Sequence, residues 1–226
     1  MINTVLVRLI ILFCTIISSI FTARLLGPEA RGTYYFWTST VAIIIQFGSL
    51  GYHSSNTYLI AKKGFNPSIL LSNSVYISII MGTCLSIFVV SYYNYIESNK
   101  VVDNTILLAI TFLSISGLIS FFAGNILIAL NKIKEFNITE LLARVTPILL
   151  IILVVIFIPK PIVLIWTLCI ISIITLVLYY YTLREIVELR KLDIKIFKSG
   201  FNYGIKSYII CSLSAFIPKL NIYLIE

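Results

Sequence analysis

Charge is scarce in this sequence. Of its 226 residues only 12% are Asp, Glu, Lys or Arg, about half the roughly 25% of a water-soluble domain. Histidine is scarcer still, with His53 alone. Zinc chemistry draws on clustered His, Cys, Asp and Glu, and one histidine cannot supply such a cluster. There is no DxD, no GxSxG and no GxxxxGK[ST]; Asp103 and Asp193 lie far apart in loops. Metal-dependent glycosyl transfer, serine-elbow hydrolysis and P-loop nucleotide chemistry therefore lack their residues, and no cofactor or metal is implied. The cysteines Cys14, Cys84, Cys169 and Cys211 form no CxxC and all sit in apolar runs, where they read as small packing residues. There is no long run of one charge sign and no RNA-binding motif, so nucleic acid is not an expected partner.

What is abundant is apolar: 59% of the residues are hydrophobic. A bilayer-spanning helix needs about 20 mostly apolar residues, and several such runs are present. They are long, continuous and rich in Ile and Leu, not the short alternating strands of a β-barrel. The expected fold class is all-α, a polytopic transmembrane helical bundle. Spans are expected at about 4–24, 34–60, 69–93, 105–130, 139–158 and 161–183, with a seventh beginning near Tyr203 and cut at Glu226. The first run is too long for a signal-peptide core and lacks an A-x-A cleavage site, so it reads as a retained span. Span 2 is interrupted by Gly48, Gly51 and the string YHSSN, and span 5 contains Pro147.

The net charge of +8 is distributed unevenly. With the N-terminus in the cytoplasm, inner loops carry Lys62, Lys63, Lys132, Lys134, Arg184, Arg190, Lys191, Lys195 and Lys198. Outer loops carry only Arg24, Arg31, Lys100 and Lys160. That is the positive-inside pattern, and it predicts a multi-pass protein of the cytoplasmic membrane with its N-terminus inside. Tyr92, Tyr93 and Tyr95 fit an outer aromatic belt and Tyr179, Tyr180 and Tyr181 an inner one. In LREIVELRKLDIKIF the apolar spacing predicts an amphipathic helix on the inner leaflet; an ordinary cytoplasmic loop is the alternative for its second half.

Charges at membrane depth face a cavity or a partner, or snorkel to the interface. Arg8 and Lys206 lie near span ends, where snorkelling is easy. Arg144 follows Glu140 by four residues, a spacing that pairs them on one helix face, as a structural or a cavity-lining pair. Lys219, after Pro218, is expected deeper in span 7. Gln46, His53, Asn56, Asn125 and Asn131 add neutral donors and acceptors, serving either helix packing or a wet cavity. Many cations with few acids suit an anionic substrate, for which arginine is a bidentate partner.

The run ARLLGPEARGTYYF resembles the first-loop signature of Wzx-like polysaccharide flippases, carried here by Gly27, Pro28, Glu29, Arg31 and Gly32. QFGSLGYHSSNTYLIAKK is similar to span 2 of that family, LIALNKIKEFNITELLARVTPILL to its span 4–5 connection, and FNYGIKSYIICSLSAFIPKLNIYLIE to the start of its span 7. The resemblance implies one lobe of a two-lobed transporter: a six-helix lobe (1–183), a connector (184–202) and the beginning of the second lobe (203–226). It implies export of an undecaprenyl-diphosphate-linked oligosaccharide by alternating access, with membrane lipids, glycan-assembly machinery and the missing C-terminal lobe as partners. By position, Arg8, Arg24, Lys206 and Lys219 become candidates for its cationic lining, alongside Arg144 from the charge reading. Asn221 stands where the family often has Asp, beside Lys219 in place of Arg. The expected chain is a piece of a longer transporter, though an intact short protein is the alternative. A multidrug or toxin extruder of the same superfamily, and an integral membrane enzyme of glycan assembly, are the competing functions. The first would favour buried acids in spans 1 to 4, which have none; the second a catalytic acid or His pair.

Overall fold

The computed structural model describes the backbone of residues 4–96, 103–186 and 193–225, with side chains through residue 209. Among the described residues it contains seven helices and no strand. They are α1 (Thr4–Gly48), α2 (Tyr52–Lys63), α3 (Pro67–Ile96), α4 (Asn104–Ala129), α5 (Ile133–Phe157), α6 (Pro161–Leu183) and α7 (Ile194–Ile225). Five, α1 and α3 to α6, are long and apolar enough to cross a membrane.

The breaks between helices follow from local chemistry. Gly27 interrupts α1 with φ 72° and ψ 169°, a conformation open to glycine and strained for other residues. Pro28 then opens the second limb, where its missing N–H costs nothing. Ser19 and Tyr35 stand equally far from Gly27, yet the Tyr35 side chain lies within hydrogen-bond reach of Ser19 and Thr22. The two limbs therefore fold back as a narrow V. The loop expected between spans 1 and 2 is thus a turn at a single residue, and the second limb starts at Pro28 rather than near 34.

The expected interruption of span 2 is also present. Leu50 and Gly51 both have positive φ, 45° and 70°, and they separate α1 from α2. A Cβ at Gly51 would overlap the Gly204 carbonyl oxygen, so α7 crosses α2 backbone to backbone at this point. Gly64, left-handed as well, closes α2 by returning its N–H to the Ile60 carbonyl, a glycine C-cap. Asn66 accepts from the Ser68 N–H just ahead of Pro67, the N-cap and N1 chemistry that starts α3. Asp103 caps α4. Asp193 Oδ1 accepts from the N–H groups of Lys195 and Ile196 and starts α7 at Ile194, nine residues before the expected position. The second half of the expected amphipathic connector is thus the opening of α7; residues 187–192 of that stretch lie outside the described residues.

Helix α4 is the hub, packing on α1, α2, α3, α5 and α6. Serines are buried along α3 and α4: Ser72, Ser74, Ser78, Ser86 and Ser114. Ser72, Ser74 and Ser78 donate to carbonyls four residues earlier in their own helix. Small hydroxyls satisfied this way let two helices approach closely in lipid. Against this, large apolar side chains such as Leu9, Phe13, Phe88 and Ile170 are exposed, as lipid-facing surfaces require.

Candidate functional site

Helices α1, α4, α5 and α6 enclose a cavity of about 660 Å³. Much of its wall is apolar, including Trp37, Val41, Ile110 and Leu168. Its charged groups gather where the first turns of α1 and α5 meet the last turns of α4 and α6. There Arg8, Asn125, Glu140, Arg144 and Tyr179 line it together.

Two rungs tie α1 to α5 at this end. Asn137 Nδ2 donates to Thr4 Oγ1 at 3.0 Å. One turn on, Arg8 Nη1 donates to Glu140 Oε1 at 2.8 Å. The spacing (Thr4 to Arg8 on α1, Asn137 to Glu140 on α5) makes the first limb of α1 run parallel to α5. The Arg8 side chain is 56% exposed and that of Glu140 only 12%. The second Glu140 oxygen is buried and has no partner. Arg144 is exposed and, among the described residues, forms no ion pair. The expected Glu140–Arg144 pair is therefore replaced by Glu140–Arg8, because the packing of α1 against α5 brings a second arginine onto the carboxylate. Tyr179 is buried and within electrostatic range of both Glu140 and Arg144. Gly124 leaves room for its hydroxyl.

The other sequence candidates fall elsewhere. Arg24 is exposed, sixteen residues from Arg8 or roughly 24 Å along the helix, and does not line the cavity. Glu29 is exposed and, although Arg24 and Arg31 flank it in sequence, forms no ion pair with either among the described residues. Arg31 instead sits over the Tyr35 ring, 5.3 Å from its centroid, a cation–π contact. Gly27 is the turn; Pro28, Arg31 and Gly32 edge a shallow groove with Ser19 and Tyr35. Gln46 is exposed, outside the cavity. His53 is half-buried with its ring against Phe121, 4.8 Å between centroids; Phe121, not His53, lines the cavity. Asn56 is fully buried and donates to Ser74 Oγ at 2.7 Å, a packing role between α2 and α3. Asn125 lines the cavity and donates to the Phe121 carbonyl at 2.8 Å. Lys206 is exposed on α7, and the side chain of Lys219 lies outside the described residues.

Two participants were not singled out from sequence. Glu140 figured only as the local partner of Arg144, and Tyr179 only as part of an aromatic belt. Tyr180 and Tyr181 are exposed as that belt requires; Tyr179 is buried and points inward.

Residues 1–224 match the family described as polysaccharide biosynthesis protein. The chain belongs to this family, that of the Wzx-like flippases. No curated protein and no solved structure matches it. Family and fold together make it a multi-pass membrane protein of polysaccharide biosynthesis.

Proposed function

We propose that this polysaccharide biosynthesis protein forms the first lobe of a flippase. It would carry an undecaprenyl-diphosphate-linked oligosaccharide from the inner to the outer leaflet of the cytoplasmic membrane. The observation that supports this is the cavity between α1, α4, α5 and α6, with Arg8 and Arg144 at its charged end. Arginine matches phosphate oxygens in planar, bidentate geometry, and the cavity volume falls in the range that takes a sizeable polar headgroup. In the N-inside orientation that the loop charges favour, the charged end faces the cytoplasm, where the lipid-linked glycan is made available. A second lobe completes the enclosure. Rocking of the two lobes then exposes the site to each side in turn, and no bond is made or broken.

The test is in the producing cell. Arg8→Ala combined with Arg144→Ala should abolish surface polysaccharide and leave lipid-linked oligosaccharide accumulated on the inner leaflet. Normal export by that double variant, at normal protein level, overturns the reading. Arg24→Ala and Lys219→Ala, tested beside it, show whether the remaining cationic candidates contribute.

A further inference from the structure

We infer that Glu140 is a built-in counter-anion that exchanges partners, held by Arg8 in the empty site and by Arg144 once a diphosphate occupies Arg8. This rests on the reading of the cavity as a site for an anionic lipid headgroup.

The bond between Arg8 and Glu140 is half-made. One guanidinium nitrogen meets one carboxylate oxygen at 2.8 Å, whereas a full arginine–carboxylate pair uses two parallel bonds. The guanidinium has five N–H donors, its side chain is more than half exposed and it lines the cavity, so donors remain for oxygen ligands. The second carboxylate oxygen is buried and unpartnered. Arg8 is thus oriented and partly neutralised, yet still able to receive oxygen ligands.

Arg144 completes the exchange. It lies four residues after Glu140 on the same helix and lines the same cavity. Glu followed by a cation at this spacing is the favourable order for a pair along a helix. The carboxylate therefore has two cations in reach, one across the α1–α5 contact and one along its own helix. A phosphate group that claims Arg8 does not strand Glu140 as an unpaired buried charge, a costly outcome. Tyr179, within range of both Glu140 and Arg144, is the remaining ionisable wall group at this end. The exchange also opens the upper rung between α1 and α5, leaving the Thr4–Asn137 bond.

An internal anion sets a threshold. A ligand must outbid a carboxylate already in place, and a diphosphate with its greater charge and more oxygens does so better than a monophosphate. Glu140 thereby becomes a specificity-determining residue.

Binding of farnesyl diphosphate and farnesyl monophosphate to the purified chain in nanodiscs tests this. Wild type should prefer the diphosphate. Glu140→Gln, nearly the same in shape, should bind both more tightly, the monophosphate by about tenfold, so that discrimination shrinks; one charge-assisted hydrogen bond is of that size. Glu140→Asp, which keeps the charge, should retain the preference. If Gln and Asp variants behave alike, or if Glu140→Gln changes neither affinity while Arg8→Ala still loses binding, the counter-anion role is wrong and the headgroup site stands. If wild type binds neither prenyl phosphate, or the Arg8→Ala, Arg144→Ala double variant binds as wild type does, the headgroup site itself is wrong. Matched melting profiles of the Gln and Asp variants show that both are folded.

Discussion

Helices α3 and α4 are built to one rule and α1 and α5 to another. In the most apolar stretch of α4, 44% of positions are buried, and 33% in α3; in α1 the figure is 6% and in α5 11%. The densely packed pair buries neutral hydroxyls, and Ser72, Ser74 and Ser78 among them donate to their own helix backbone. The sparsely packed pair carries Arg8, Glu140 and Arg144. The difference follows from the solvent. A serine bonded to its own backbone can be buried between helices at little cost. A guanidinium needs water or a counter-charge, so it belongs on elements that border a cavity. Such elements bury a small share of their apolar stretch, which suits the parts of a transporter that move.

The largest effect is expected where two backbones touch. Gly51→Ala places a Cβ into the Gly204 carbonyl of α7, at a residue with φ 70°. Neither backbone has a flexible end to yield. The left-handed conformation alone costs about 1 kcal/mol, and the backbone overlap adds to it. Yield of monodisperse protein on size exclusion should fall sharply. Gly64→Ala is the control: φ is 64°, but nothing lies within 4 Å of the added Cβ. It should cost only about 1 kcal/mol and leave a folded protein with a lowered melting temperature. Equal losses for the two would remove α7 from the rigid part of the bundle.

In the sparsely packed part the order of effects should reverse. Arg8→Ala removes a half-exposed side chain, so stability should fall by only about 1 kcal/mol, while export falls at least about tenfold. A variant that unfolds without a selective loss of export would make Arg8 a structural tie. Ser74→Ala addresses the other part. It removes the acceptor for Asn56 Nδ2 and should cost about 1 kcal/mol. Ser78→Ala, which loses only a bond to its own helix backbone, should cost less. Thermal unfolding in detergent separates the two.

The sequence made some of this legible and hid the rest for physical reasons. Hydropathy located the spans because lipid demands uninterrupted apolar length. Gly27-Pro28 and Gly48 to Gly51 marked real breaks because positive φ needs particular residues. Asp193 as a helix start is hidden in the sequence by the amphipathic spacing around it, which runs on through the cap. The Gly200-x-x-x-Gly204 spacing on α7 is a signal of close helix approach; it names the face of α7 but not the α2 partner. Arg8 and Arg144 were visible as cations out of place. Their meeting with Glu140 was not, since the pairing of α1 with α5 bridges 132 residues of chain, and a local i, i+4 partner explained the carboxylate equally well. Tyr179 could not be told from Tyr180 and Tyr181 without the direction of the helix face.

The smallest effect concerns the exposed side of the dense pair. Phe88 on α3 is 66% exposed and stacks only on its helix neighbour Tyr92 among the described residues' ring contacts. If lipid covers this face, Phe88→Leu exchanges one apolar group for another in an apolar solvent, and stability should change by less than about 0.5 kcal/mol. Phe122→Leu offers the contrast: this ring is fully buried between α2 and α4, edge-on to Tyr52, and its truncation leaves a cavity costing about 1 kcal/mol or more. Thermal unfolding of both variants, in detergent and again in nanodiscs, measures the gap. A Phe88→Leu cost that approaches that of Phe122→Leu means that protein, not lipid, covers the outer side of α3. The dense pair would then extend beyond this lobe, and the contrast between packed and open helices would be one of position within a larger bundle instead of a property of this chain.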